Sequence, residues 1–335
     1  VSEFKWVYPE HIVLLYGSGG AGKSSLLNQL AVHVWKTFGK KTRIVGADGG
    51  GTKPFQVLMK KGIIDYWPID LWEHDVWTTY DRATSGWWPE DVNIPNSRLQ
   101  PSFKEHNICP FCKGRTKSIP ACSLCKKPIP AGTTMVVERE PQNGAEEVGA
   151  VGFESIAALG FNVMQRLKEC DTEGKLVKDK ESETKIATSE QSHYGIAQNY
   201  LQKWIGNTRK LPVWAVGWTT LELRGGDDGY GKPIYGPMFP GKQLTAKCIP
   251  WFTDVMHLEL EPEEKREADG TQKVNRVLYL DDHFPADTKP YGFKAKTSVA
   301  GLPIRIPAPA GQNTMTKYFT LVDEAYKRQE EAFGV

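Results

Sequence analysis

The longest apolar window of this chain, Val148 to Met164, is interrupted by Glu154. A run of about 18 uncharged apolar residues is therefore missing, which excludes an ordinary membrane-spanning helix. Excess charge is also missing: 42 Lys and Arg stand against 40 Asp and Glu, a net charge of +2. No global field argues for a nucleic acid or a membrane surface, so any polyanion site must be local. Cysteine is sparse, six in 335 residues, too few for a scaffold built on disulfides. No basic segment followed by an apolar one opens the chain, so nothing suggests export and a cytoplasmic location is expected. The first residue is Val, not Met, and is not taken as the natural start. No internal repeat is visible.

What is present is ordinary in bulk and specific in detail. Hydrophobic content of 40% and charged content of 24% are those of a globular protein. The length allows one large α/β domain with an insertion, or two domains. Near the start, the apolar run Ile12 to Tyr16 leads into Gly17-Ser18-Gly19-Gly20-Ala21-Gly22-Lys23-Ser24-Ser25, and Leu26 to Leu30 follow. Strand, glycine loop and helix are thus written consecutively, in the G-x4-G-K-[ST] pattern of a phosphate-binding loop. Its glycines let backbone N–H groups converge on phosphate oxygens at a helix N-terminus. In that pattern Lys23 reaches the β- and γ-phosphates of ATP, and the Ser24 hydroxyl holds Mg2+. The same residues also read Gly17-x-Gly19-x-x-Gly22, a dinucleotide fingerprint. Lys23-Ser24 argues against it, as does Lys36 to Lys41, where a ribose-binding acid is expected and none stands.

Four of the cysteines cluster as Cys109-Pro-Phe-Cys112 and Cys122-Ser-Leu-Cys125. Two C-x2-C knuckles at this spacing predict a closed, structural S4 zinc site. Binding worth ~10–16 kcal/mol can hold together a segment too small for its own core. Iron in the same S4 set, and unliganded thiols or a disulfide pair, are the alternatives. Cys170 and Cys248 read as incidental thiols.

Along the chain, strands are expected at about 11–16 and 41–48, joined by a helix over 24–38, a βαβ unit. From about Trp67 to Gln142 the texture becomes rich in Trp and Pro, read as an insertion carrying the cysteines. Strand character returns over 148–155, then a helix over 156–168, a polar surface segment over 171–192, a helix over 194–208 and a strand over 211–220. The Gly- and Pro-rich stretch 224–242 reads as a long irregular loop. Residues 255–261 and 273–281 read as a hairpin, 301–311 as extended, and 316–333 as a terminal helix. The resulting division is 1–66 and 146–312 as an α/β core, 67–145 as the insertion and 313–335 as the terminal helix.

A phosphate loop needs an acid at a neighbouring strand tip to position magnesium. Glu154, after Val151-Gly-Phe, and Asp281, after Val277-Leu-Tyr-Leu, compete for this role, and both stay open. Asp48 ends the second strand before three glycines, where it faces the γ-phosphate or caps the turn.

The order of these motifs resembles the RecA-like P-loop ATPases, above all the small single-strand-annealing and recombination ATPases of bacteriophages. Gly17 to Ser24 resemble their nucleotide loop. Ile44 to Asp48 resemble the strand ending in the acid that activates water, usually Glu. Gly152-Phe-Glu154-Ser155-Ile-Ala-Ala-Leu159 resembles the magnesium-side strand and the helix after it, with Glu for Asp. Val213 to Thr220 resemble the strand that senses the γ-phosphate, ending here in Thr219 or Thr220. Gly236-Pro-Met-Phe-Pro-Gly241 resembles an element beside a DNA-binding loop, and Phe293-Lys294-Ala-Lys296 resembles paired lysines that reach a neighbouring subunit's nucleotide.

The resemblance implies a mainly parallel RecA-like core and ATP hydrolysis with Lys23, Asp48, Glu154 and Lys296 as catalytic residues. It also implies Mg2+ at Ser24 and Glu154, a ring or filament of identical subunits, and single-stranded DNA as partner through Arg224, Lys232 and Lys242. A phage-encoded protein of this kind would act in the host cytoplasm. The cysteine segment is no part of that core and offers a protein partner a lobe of its own. Three other classes remain: a nucleotide switch, a phosphotransferase, and a partition-type ATPase, against which Ser18 stands where that class has a lysine.

Overall fold

The apolar run at the start of the chain becomes a strand at the centre of a sheet, with all seven residues of β1 (His11–Gly17) buried. A strand covered on both faces needs no alternation of polar residues. The computed structural model describes residues 8–47, 52–70, 76–86, 148–170, 191–227, 233–240, 247–266, 272–284 and 292–334. It adds short pieces at 88–89, 98–99, 104–108, 110–112, 115–116, 121, 125–129, 136–140, 176–178 and 185–187.

After β1 come α1 (Lys23–Phe38), β2 (Lys41–Gly46), α2 (Gln56–Lys60), β3 (Ile64–Pro68) and α3 (Val76–Thr84). The chain then returns with β4 (Val148–Glu154), α4 (Ile156–Cys170), α5 (Gln191–Thr208), β5 (Ala215–Asp227) and β6 (Pro233–Pro237). It ends with β7 (Asp254–Arg266), β8 (Gln272–Tyr279), β9 (Arg305–Pro307) and α6 (Thr314–Phe333). Among the described residues these strands form a nine-stranded sheet in the order β9-β8-β7-β1-β5-β4-β2-β3, with β6 on β5. From β7 across to β3 every pairing is parallel. The β7–β8, β8–β9 and β5–β6 pairings are antiparallel. The fold is therefore α/β with a mostly parallel central sheet, as expected.

Connections from β1 to β2 and from β4 to β5 travel in opposite directions along this sheet. Right-handed crossovers therefore place α1 on one face and α4 with α5 on the other. On the α1 face, Leu26, Leu27, Leu30 and Val34 meet Val13, Leu15, Ile44 and Ala150, and Tyr318, Phe319 and Val322 of α6 close the layer. Gln29 of α1 accepts the Thr314 and Met315 N–H groups at 2.8 and 3.3 Å, and Asn313 accepts Thr316 N–H at 2.8 Å, so three of the first N–H groups of α6 are capped. On the opposite face Phe153 stacks on Trp218 at 4.3 Å.

Residues Gly86–Glu147 form a separate compact unit, apart from 1–85 and 148–335. Within it, Lys104–Ile108 pairs antiparallel with Arg115–Thr116 and with Val136–Glu140. The insertion thus begins later than the Trp-rich texture suggests. Trp67 belongs to β3, and Trp77 of α3 packs edge-on against Tyr200 of α5 at 4.7 Å, so this part of the texture belongs to the elements of the main unit.

The stretch 224–242 also departs from its reading as irregular loop. β5 continues to Asp227 and pairs with β6 through a bulge between Arg224 and Gly226. Glycine weakens a strand pattern in sequence, whereas the partner strand supplies the missing hydrogen bonds here. Within 171–192 the described residues include a short antiparallel pair, Leu176–Lys178 with Lys185–Ala187. The hairpin of β7 and β8, the extended β9 and the terminal helix lie where the sequence pattern puts them.

One buried carboxylate pins β7 from below. Asp254, fully buried, accepts the Ser298 N–H at 2.9 Å and the Thr253 hydroxyl at 2.8 Å, with His11 Nδ1 3.7 Å away. Burial alone would raise its pKa, but His11, Ser298 and Thr253 outweigh burial and hold it below the ordinary carboxylate value. A depressed carboxyl pKa contributes stability above the unfolded value of about 3.9, lost as pH falls through the folded value. Asp254→Asn should therefore cost about 1–3 kcal/mol at pH 7. In urea unfolding across the acid range, the gap to the parent protein should narrow below about pH 4; a gap independent of pH would refute this account.

Candidate phosphate-binding site

The glycine loop leaves the sheet at the carboxyl end of β1, where ligands of parallel α/β sheets bind. Gly17 has a steric reason to lack a side chain, since a Cβ there would lie 2.3 Å from the Leu258 carbonyl of β7. Gly22, at φ 110°, turns the loop into α1 as its N-cap. No side chain caps this end and no acid stands in the first turn. A protein helix with neither leaves its first N–H groups and its positive dipole end to an anion. Lys23 donates to the Gly17 and Ser18 carbonyls at 3.0 and 2.7 Å, which holds the ammonium over the loop.

Ser24 donates a hydrogen bond to Glu154. Glu154 is 4% exposed and ends β4. The two strand tips are not neighbours: β5 lies between β1 and β4, and α1 spans it to bring the hydroxyl and carboxylate together. A hydroxyl and a carboxylate are hard oxygen donors of the kind magnesium takes. Asp281, by contrast, is exposed, and its Oδ1 accepts the Asp282 N–H at 2.8 Å. Of the two competing acids, Glu154 is the one brought to the loop.

Ser155, directly after Glu154, sits at φ 65°, a left-handed conformation that costs a non-glycine residue about 1 kcal/mol or more. Its hydroxyl accepts the Ala158 N–H at 3.2 Å as the cap of α4, and its own N–H donates to Thr219 Oγ1 at 2.8 Å. The Thr220 hydroxyl donates to the Met238 carbonyl at 2.7 Å. Both threonine hydroxyls are thus engaged within the protein, one of them positioning the turn that aims Glu154.

Five residues that sequence reasoning missed stand at the same end of the sheet. Arg276 of β8 donates from Nε to the Ala21 carbonyl at 3.1 Å, bracing the loop from the side. Glu222, just past Thr220, accepts from His257 Nε2 at 2.8 Å. Burial alone would raise its pKa, but that hydrogen bond with the charges of Arg224 and Lys23 outweighs burial and holds it below the ordinary value. Burial keeps His257 below its own ordinary value, hence a neutral donor. His257 also faces His283, and His283 faces Glu259. These residues lie far apart in the sequence, and only the Asp/Glu/His composition of β7 hinted at them.

The remaining expected residues are placed as follows. Arg224, itself exposed, approaches Glu222 at 3.5 Å and Glu259 at 3.7 Å and stands 5.1 Å over the Phe293 ring, so it offsets the charge of two half-buried acids. Lys294 pairs with Asp282 at 2.5 Å, and the Lys296 backbone bridges Val255 at 2.8 and 2.9 Å. The Gly236–Pro240 element is packed, with Gly236, Pro237, Phe239 and Pro240 buried. Cys112 is exposed and Cys125 partly buried; beside the latter, Lys126 has φ 61° and Ala121 bridges Pro128. Asp48, Cys109, Cys122, Lys232 and Lys242 lie outside the described residues.

No protein-family model and no curated protein sequence matches the chain. Among solved structures, a KaiC-like protein from the archaeon Pyrococcus horikoshii is similar with a TM-score of 0.38 and 12% identity, over 91% of this chain and 98% of that one. The site therefore rests on its own geometry.

The strained turn at Ser155 yields a direct test. Ser155→Ala removes the cap but keeps the positive φ, and should cost about 1–2 kcal/mol in urea unfolding. Ser155→Gly loses the cap but relieves the backbone, and should stay within about 0.5 kcal/mol of the parent. Equal losses in both variants would show that the turn is not strained.

Proposed function

We propose that the chain is a RecA-like P-loop ATPase that binds ATP with Mg2+, hydrolyses it, and acts on single-stranded DNA in phage-type recombination, annealing or replication. The observation that carries the ATPase reading is the assembly of an uncapped α1 N-terminus, Lys23 over the loop and Ser24 on Glu154. In this reading the loop amides and Lys23 stabilise the charge that develops on the transferred phosphoryl group. Magnesium, when bound, neutralises phosphate oxygens, and Ser24 and Glu154 would hold it. Asp48 would orient the attacking water, and Arg276 would keep the loop closed on the nucleotide.

The DNA and oligomer parts rest on the resemblance. Arg224, Lys232 and Lys242 are the DNA candidates. Lys296, helped by Lys294, would complete a neighbour's site, which makes hydrolysis depend on assembly. For the cysteine unit we keep the S4 zinc reading, supported by the tight turn at Lys126 and the Ala121–Pro128 bridge beside Cys125. That unit has a small sheet of its own, which favours a second reading: a nucleotide-dependent switch that binds a protein partner through the zinc lobe.

ATP turnover with and without single-stranded DNA, at low and moderate salt, separates the two. The motor or annealing reading expects DNA to stimulate turnover and salt to weaken the effect. Nucleotide binding with no DNA response would favour the switch. Lys23→Ala and Glu154→Gln should each lower kcat by about 10²–10³-fold, with the circular dichroism of the parent retained. Unchanged turnover in Lys23→Ala would overturn the ATPase reading.

A further inference from the structure

On the sheet face opposite α1, beside the phosphate loop, the tips of β7 and β5 and the segment after β8 bring two imidazoles and two carboxylates together. His257 Nδ1 lies 3.0 Å from His283 Nε2, and His283 Nε2 lies 2.9 Å from Glu259 Oε2. One ligand atom from each of the three fits within 4.8 Å of the others. Tetrahedral zinc with bonds of ~2.0–2.1 Å separates its ligand atoms by roughly 3.3 Å, so the His257–His283 and His283–Glu259 pairs need to open by only a few tenths of an ångström to receive an ion.

The surroundings are those of a built site. His257 is fully buried and His283 is 7% exposed. The ring of His257 is sandwiched, with Tyr16 at 4.6 Å and Phe293 at 4.1 Å, and His283 stacks on Tyr279 at 3.5 Å. Glu222 accepts from His257 Nε2, which leaves the Nδ1 lone pair aimed at the cluster. Such a carboxylate–histidine contact commonly orients a metal-binding imidazole from outside. Arg224 approaches Oε1 of both Glu222 and Glu259, and so braces the outer carboxylate and the inner one alike. Two carboxylates stand at a largely buried place, where a dication is better matched than a neutral ligand. Two nitrogens and one carboxylate do not suit magnesium, which prefers an all-oxygen shell, and do suit zinc.

We propose that His257, Glu259 and His283 bind a zinc ion, with Glu222 and Arg224 orienting the ligands and water completing the shell. The ion ties β7 to the segment after β8, and Tyr16 carries that constraint to Gly17, the first residue of the phosphate loop. The site is separate from the cysteine knuckles and does not depend on the ATPase reading.

The test uses the full chain, stripped with a chelator and reloaded with zinc, with zinc per chain measured by atomic spectrometry. Cys112→Ser combined with Cys125→Ser breaks the S4 set by taking one thiolate from each knuckle. In that background the chain should still hold one zinc per chain, and it should lose that zinc with His283→Ala or with the nearly isosteric Glu259→Gln. Glu222→Gln should weaken zinc binding about 10–100-fold. Cobalt loaded into the cysteine variant should give d–d absorption without thiolate charge-transfer bands. Circular dichroism identifies variants that keep the fold, and Glu259→Gln serves if His283→Ala does not. A cysteine variant that is folded yet binds no zinc overturns the proposal, as does zinc binding unaffected by folded Glu259→Gln.

Discussion

Everything at the carboxyl edge of the sheet depends on the parallel pairing of β1 with β5 and of β5 with β4. That pairing puts one strand between the loop that starts at Gly17 and the strand that ends at Glu154. The first turn of α1 crosses the intervening strand, so Ser24 meets Glu154 from above. The geometry requires α1 to lie close to the sheet, and Leu27 and Leu30 provide that contact in the core. Hydrophobic packing, which has no direction, here sets the position of a hydroxyl that does.

The two faces of the sheet then have different tasks. On the α1 face the core is aliphatic and aromatic and holds the loop in place. On the other face, at the same edge, polar groups are buried in a chain that runs Glu222, His257, His283, Glu259, with Arg224 across both acids. Buried polar groups are tolerated when each finds a partner, and such networks are correspondingly specific in their geometry. Tyr16 ties this face to the loop: its ring stacks on His257 and its hydroxyl donates to the Lys294 carbonyl at 2.7 Å, one residue before the loop begins. The segment through Lys294 is thereby held to the strand that carries the phosphate loop.

Local pattern made much of this legible. Strand, glycine loop and helix are contiguous, so Gly17 to Ser25 could be read from residue types and spacing alone. The hairpin of β7 and β8 and the terminal helix likewise follow from local periodicity. Aromatic texture misled at Trp67 and Trp77, because a tryptophan under a loop and one between two helices look alike in sequence. Glycine texture misled at 224–227, because the hydrogen bonds that keep β5 extended come from β6 and leave no trace in β5 itself.

The order of residues was enough to specify a phosphate loop, its lysine and its hydroxyl, since these lie within nine consecutive residues and act through a turn and one helix end. Tertiary structure decided which acid joins them, choosing buried Glu154 over exposed Asp281, because that choice depends on strand order in the sheet. It also decided that Arg224 lies across Glu222 and Glu259 and that His257 and His283 meet across 26 residues of chain. Side chains so far apart in sequence are brought together by register and burial, and neither is written in the local run of residues.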